Sequence, residues 1–213
     1  MRGHYGPWPG PSLKRVLDKG TLFTEVVAQE RLASLANTYP PGYFRALAVG
    51  KQKENAPVYA ARAAGLKQLT LNDYRRGDGV SVDLTGEYLR RLEPALSSLT
   101  PAESGERLLD LAARHDFTFF DFWPTDVSGH RDAFADAVAL VERLDAFLGA
   151  ALKPSGDLTC LLTSDHGNLE DKSIKTHTRN PVPLIVCGSQ APLFADATSL
   201  LDVAPLCRKA LGL

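Results

Sequence analysis

Three short segments of this 213-residue chain concentrate side chains of the kinds that ligate metals. Asp126-Val127-Ser128-Gly129-His130 carries a carboxylate and an imidazole four residues apart. Ser164-Asp165-His166-Gly167-Asn168 sets a second such pair side by side, directly after the apolar run Leu158 to Leu162. His177 opens the stretch His177-Thr178-Arg179-Asn180-Pro181-Val182-Pro183, just before a second apolar run, Leu184 to Cys187. An isolated histidine at a strand end is usually a loop residue bonded to backbone. Three ligand-bearing segments, all at predicted strand ends, favour a metal instead. Mixed imidazole and carboxylate ligands suit Zn²⁺ or Mn²⁺ and argue against Ca²⁺ or an all-oxygen Mg²⁺ site. Five such groups exceed what one ion usually takes from protein and come closer to two ions sharing a substrate oxygen. Asn168 stands where it could orient a ligand from behind, although turn chemistry explains an asparagine there equally well.

The elements that must hold these groups are clearest after residue 100. Thr100-Pro101-Ala102-Glu103 opens a helix expected to reach Arg114, with Thr100 as N-cap and Pro101 at the first helical position. Phe117 to Trp123 is a dense run of β-formers and predicts a buried strand. Arg131 to Ala151 predicts one amphipathic helix with Phe134, Ala137, Val138, Val141, Leu144 and Leu148 on its apolar face. A strand over 158–163, a loop, a strand over 182–187 and a helix from about Ser199 to Leu211 follow. This alternation predicts an α/β fold with a mostly parallel sheet and helices on its faces, where functional groups gather at the carboxyl ends of strands.

The N-terminal half is less regular. Residues 1–11 are expected as an extended arm, followed by a helix with Ser12 as N-cap and Gly20 as its stop. Residues 21–31 are ambiguous, and Leu32 to Asn37 predicts a short strand. From Tyr43 the pattern changes to short helices (Tyr43–Val49, Pro57–Ala64, Thr85–Leu92) around a polar turn, Asp73 to Gly79. We expect an inserted subdomain over 43–99, within a core made of 1–42 and 100–213. Arg75, Arg76 and Lys67 in that insertion could meet a substrate phosphate, but solvated loop charges are the simpler account. Trp8 and the phenylalanines of 117–122 are expected in the core.

Composition narrows the function classes. A formal charge of −1 gives no electrostatic case for nucleic acid or anionic membrane as the main partner. No apolar run approaches the roughly 20 residues of a membrane span. Three widely spaced cysteines, Cys160, Cys187 and Cys207, form no disulfide framework or CxxC motif, which fits a reducing cytoplasm.

The three ligand segments together resemble the alkaline phosphatase superfamily, with cofactor-independent phosphoglycerate mutase and phosphopentomutase as the most similar branches. The likeness is specific over roughly 117–187 and weaker over 12–42. It implies a three-layer α/β/α sandwich with a cap over the substrate. It also implies Asp126, His130 and His177 on one metal, and Asp165 with His166 on the other. The implied chemistry is phosphoryl transfer on a small phosphorylated metabolite. Two divalent ions activate a Ser or Thr nucleophile, and a covalent phosphoenzyme is resolved by water or by a substrate hydroxyl.

The resemblance also implies a first-strand Asp and a nucleophile at a helix start, ahead of the segment that resembles residues 11–23. Neither is found here. Ser12 reads as a helix cap, and His4 has no context that brings it to a site. The chain therefore resembles a family member lacking its first strand and nucleophile segment. A mis-started gene, a fragment completed by another polypeptide and a degenerate paralogue are the alternatives. Expected consequences are impaired activity, one firm metal site, a weak second site at Asp165 and His166, and a homo-oligomer or a missing N-terminal partner. Rival readings are a sulfatase-like or phosphodiesterase-like hydrolase and a non-catalytic metal-binding or interaction protein built on the same fold.

Overall fold

The computed structural model describes residues 8–154 and 156–213. The expectations for His4 and for the arm up to residue 7 fall outside the described residues. The first half runs α1 (Pro11–Leu17), α2 (Leu22–Ala28), β1 (Ala33–Leu35), β2 (Thr38–Tyr39), α3 (Pro41–Ala48), α4 (Ala56–Ala63), β3 (Leu69–Thr70), α5 (Leu71–Arg75) and α6 (Glu87–Arg90). The second runs α7 (Pro101–Ala112), β4 (Phe117–Phe119), α8 (Pro124–Arg131), α9 (Phe134–Ala151), β5 (Thr159–Thr163), β6 (Leu184–Gly188), a 3₁₀ turn (Ala191–Phe194) and α10 (Leu200–Leu211).

The chain is α/β, and among the described residues two of three strand ladders are parallel. β1 pairs with β4 in the register Ala33↔Phe117 to Leu35↔Phe119, and β2 pairs with β3. These two ladders share one continuous segment. The Ala36 amide donates to the Phe119 carbonyl at 2.8 Å, and the Val80 amide then donates to the Ala36 carbonyl at 2.8 Å. Side chains of β1 and α2 pack with α4 in a cluster of Phe23, Leu35, Val58, Ala60 and Ala61. Segment 43–99 thus sends α4 into this cluster, and its Val80 and Leu84 lie against Phe147 and Ala151 of α9. β5 and β6 pair antiparallel with each other.

Several local expectations need correction. Ser12 is not a cap: Gly10 occupies that position, and the Ser12 hydroxyl accepts a hydrogen bond from Arg15 at 3.2 Å. α1 ends at Leu17, before Gly20. Asp73 is not a turn residue; it closes a capping box with Thr70 at the start of α5 and is 3% exposed. The helix expected over 85–92 is a single turn. Trp8 is exposed, with the Lys53 ammonium 6.0 Å from its ring centroid.

The strand expected over 117–123 stops at Phe119, which is itself exposed. Beyond it, Phe120 and Phe122 turn into the α9 cluster. The Asp121 amide leaves the ladder to donate to the Asn37 side chain at 2.8 Å. Trp123 is exposed and caps α8.

The helix expected over 131–151 is two helices, broken at the extended residues Asp132 and Ala133. Lys172 donates to the Ser128 and Gly129 carbonyls at 2.6 and 3.2 Å; Ser128 also accepts from the Asp132 amide, and the Gly129 carbonyl is the acceptor that a further helical turn would use. α9 buries Ala137, Leu140, Phe147 and Ala151, whereas Phe134, Val138 and Val141 face outward. Gly105 of α7 sets this rotation, because a Cβ there would stand 2.4 Å from the Phe147 carbonyl oxygen. The two backbones can meet only at a glycine.

Candidate metal centre

α8 begins at Pro124, whose missing N–H costs nothing at a helix N-terminus. Its i, i+4 spacing puts Asp126 and His130 on one face. Behind that face lies Asn168, 4% exposed, whose amide donates to Asp126 Oδ1 at 2.7 Å and to the Asp126 carbonyl at 3.0 Å. The approach requires Gly129, since a Cβ there would sit 2.3 Å from Asn168 Oδ1. Asn168 thus contacts Asp126 from against the helix backbone.

β5 delivers Asp165 and His166 just past its last residue, Thr163. The loop beyond is closed by an antiparallel bridge between Gly167 and Thr178, with the Thr178 amide donating to the Gly167 carbonyl at 2.9 Å. Glu170 ties the loop internally. It accepts from the Asn168 amide at 2.6 Å, from Asn180 Nδ2 at 3.0 Å, and from the Thr178 hydroxyl. The Thr178 bond, with those from Asn180 and the backbone, holds the Glu170 carboxyl at about 2, against the opposing effect of burial. This closure sets the His177 ring on the His166 ring, with centroids 3.6 Å apart and planes 14° from parallel.

Asp126, His130 and His177 converge, with one potential ligand atom from each lying within 4.8 Å of the others. Asp126 Oδ1 is 3.3 Å from His130 Nε2 and 3.2 Å from His177 Nε2, and the two Nε2 atoms are 3.1 Å apart. His130 Nδ1 is 2.7 Å from the Lys175 carbonyl, which can only accept. That bond fixes the proton on Nδ1 and leaves the Nε2 lone pair facing the cluster.

His166 Nε2 stands farther out, 3.9 Å from Asp126 Oδ1 and 3.5 Å from Asp165 Oδ1, and the Asp165 side chain is 86% exposed. The structure thus gathers all five predicted groups in one place, three of them tightly. The donor set fits a divalent cation: one carboxylate oxygen and two imidazole nitrogens, one of them tautomerically fixed. Asn168 Oδ1, on the other side of the same amide, is buried against Gly129 with no hydrogen-bond partner among the described residues.

Arg75 and Arg76 are engaged elsewhere. Arg75 pairs with Glu93 and with Asn72 Oδ1 at 2.7 Å. Arg76 pairs with Asp78 at 3.0 Å and with the buried Asp73, which Lys67 also meets at 3.1 Å. Burial works to raise the Asp73 carboxyl, but hydrogen bonds from Thr70, Lys67 and Arg76 carry it well below the usual range.

Sequence reasoning gave no role to Glu170, Lys172 or Asp121. Glu170 and Lys172 lie close after Asn168, in a loop whose polar residues gave no periodic signal. Asp121, half-buried at the end of β4, accepts from Asn55 Nδ2 at 2.8 Å, while Asn37 holds its backbone from both sides. Burial, with a smaller contribution from the nearby Asp165 charge, pushes its carboxyl up to about 6 against the opposing Asn55 bond.

A family model described as the Metalloenzyme superfamily matches residues 94–213, more than half of the chain and every candidate ligand. This chain belongs to the metalloenzyme superfamily. Curated relatives of this metalloenzyme chain are 2,3-bisphosphoglycerate-independent phosphoglycerate mutases. That of Pseudomonas fluorescens (strain Pf-5) is 34% identical over 135 residues, 57% of this chain and 25% of that protein. The Mycoplasma pneumoniae protein is 30% identical over 150 residues, 63% of this chain and 30% of that protein. The Onchocerca volvulus protein is 36% identical over 135 residues, 57% of this chain and 26% of that protein. The metalloenzyme chain thus spans between a fifth and a third of the length of the relatives it matches. No solved structure matches it. Among the described residues, no helix is long and apolar enough to cross a membrane.

Proposed function

We propose that this chain is the metal-binding part of a phosphomutase-like phosphoryl-transfer enzyme acting on a small phosphorylated metabolite. The observation that carries the proposal is the convergence of Asp126, His130 and His177 within 4.8 Å, inside the region that matches the superfamily. In this reading these three residues hold one divalent ion, Mn²⁺ or Zn²⁺, and Asp165 and His166 supply part of a second site. A cation there supplies positive charge that neutralises phosphoryl oxygens and favours ionisation of an attacking hydroxyl.

The chain's own residues do the positioning. Asn168 keeps Asp126 Oδ1 turned toward the imidazoles. The Lys175 carbonyl keeps His130 in the tautomer that presents Nε2. The loop tied by Glu170 carries His177 across to α8. None of the present residues is assigned as nucleophile, so turnover is proposed to need chain beyond these segments.

The test is metal analysis of the purified chain after dialysis against Mn²⁺ or Zn²⁺, alongside an assay of phosphoglycerate interconversion. The expected result is one tightly held ion per chain, lost in His177→Ala, with no turnover by this chain alone. Retention of no ion would overturn the metal reading. Two tightly held ions, or turnover without added chain, would overturn the assignment of an incomplete second site.

A further inference from the structure

Two of the three free cysteines face each other. In the antiparallel β5–β6 ladder, Cys160 is the register partner of Cys187. Directly opposed residues of an antiparallel pair have Cα atoms about 4.5 or 5.5 Å apart and project side chains to the same face. Both separations lie inside the roughly 4.4–6.8 Å window that a disulfide spans without backbone movement. Burial, and next to it the proximity of Cys187, raises the Cys160 thiol above its ordinary value.

The face is reachable. Leu162 and Ile185, two pairs along the ladder, share the cysteines' side of the sheet, and Ile185 is 43% exposed. Neither cysteine is fully buried. Their strands flank the ligand loop: β5 leads into Asp165 and His166, and β6 follows the segment that begins at His177. A bond between them closes a loop of about 26 residues that contains all three of these groups.

We infer that Cys160 and Cys187 form a reversible cross-strand disulfide that clamps the base of the ligand-bearing loop. The oxidant is a low-molecular-weight disulfide such as oxidised glutathione. The Cys187 thiolate attacks one glutathione sulfur, breaking the S–S bond and releasing one glutathione thiolate, which takes up a proton. The Cys160 thiolate then attacks the Cys187 sulfur and displaces the second glutathione. Two protein S–H groups become one S–S bond, and the two electrons and two protons leave on two molecules of glutathione. Cys160, held toward its thiol form, suits the second, intramolecular step, where proximity compensates for a scarce thiolate. The inference does not depend on which metal the site holds or on what the enzyme acts on.

The experiment incubates the folded full chain with excess oxidised glutathione, followed by intact-mass measurement, thiol alkylation and peptide mapping. The expected result is loss of two hydrogens, one remaining thiol at Cys207, and a cross-linked peptide pair carrying Cys160 and Cys187. The thermal midpoint should rise by roughly 8 °C, from the loop-closure entropy of about 26 residues in a chain of this size, and fall back on reduction. Cys207→Ser should form the same bridge. Cys160→Ser should instead accumulate a stable glutathione adduct on Cys187. Three thiols still free after oxidation, stable adducts on both strand cysteines of the parent chain, or a bridge that includes Cys207 would each overturn the inference. So would a bridge that forms only in denaturant.

Discussion

Replacing Asp121 by Asn should make the protein more stable at neutral and alkaline pH. The folded environment pushes the carboxyl up to about 6, from 3.8 for the free side chain, chiefly through loss of hydration. Folding therefore binds protons at this site between those two values. Stability from this group is fully present below about pH 4 and is lost as pH rises through 6. A shift of roughly 2 units corresponds to at most about 3 kcal/mol. Asn keeps the size of the side chain, and its carbonyl oxygen can still accept from Asn55 Nδ2. For a chain of this length, 3 kcal/mol amounts to roughly 6 °C in melting temperature. The assay is metal-free thermal and urea unfolding of parent and Asp121→Asn chains across pH 4 to 8. The variant should gain several degrees at pH 8, and the gain should shrink to nothing near pH 4. A variant no more stable at pH 8, or a gain independent of pH, would refute the claim that burial of this carboxylate opposes folding.

Three further outcomes are expected. Asn168→Ala removes the amide that holds Asp126 and should weaken metal binding by about 10–100-fold in calorimetric titration, with the circular dichroism spectrum unchanged. Gly129→Ala puts a methyl group 2.3 Å from Asn168 Oδ1, so α8 and the 167–178 loop must separate. It should both weaken metal binding and lower the melting temperature, the latter by an amount equivalent to roughly 1–3 kcal/mol. Thr100→Ala breaks the capping box of α7, in which the Thr100 hydroxyl accepts from the Glu103 amide at 3.2 Å. Urea unfolding should report a loss of about 1 kcal/mol, with metal affinity untouched.

The candidate ligands were legible because their chemistry is local. Asp and His types, their spacing and the apolar runs beside them can all be read without knowing where the chain goes. α7 and α10 were legible for the same reason: Thr100 and Ser199 each close a capping box with an acidic residue three positions on. What failed depended on distant partners. Phe117 to Trp123 has uniform β-propensity, but Asn37, 84 residues earlier, draws the Asp121 amide out of the ladder. The rotation of α9 could not be read from its own apolar residues, because Gly105 of another helix decides which side lies close. The gap between α8 and α9 is bound up with Lys172, more than 40 residues later. Asp73 looked like a turn residue because a buried carboxylate is intelligible only once Lys67, Thr70 and Arg76 surround it.

The pairing of β1 with β4 bears on how the chain is made. Ala33 and Phe117 are register partners separated by 84 residues. At about 5–20 residues per second of synthesis, β1 waits roughly 4–17 s before its partner strand exists. During that interval its backbone N–H and C=O groups have only water, or another chain, to bond to. The metal ligands come later still: Asp126 and His130 follow β4, and His177 lies some 50 residues farther along. The three residues of the candidate cation site are therefore all present only well after β4 has been made. A nascent chain stalled before residue 117 carries an open strand edge and no metal to steady it, and is the stage at which a chaperone would matter most.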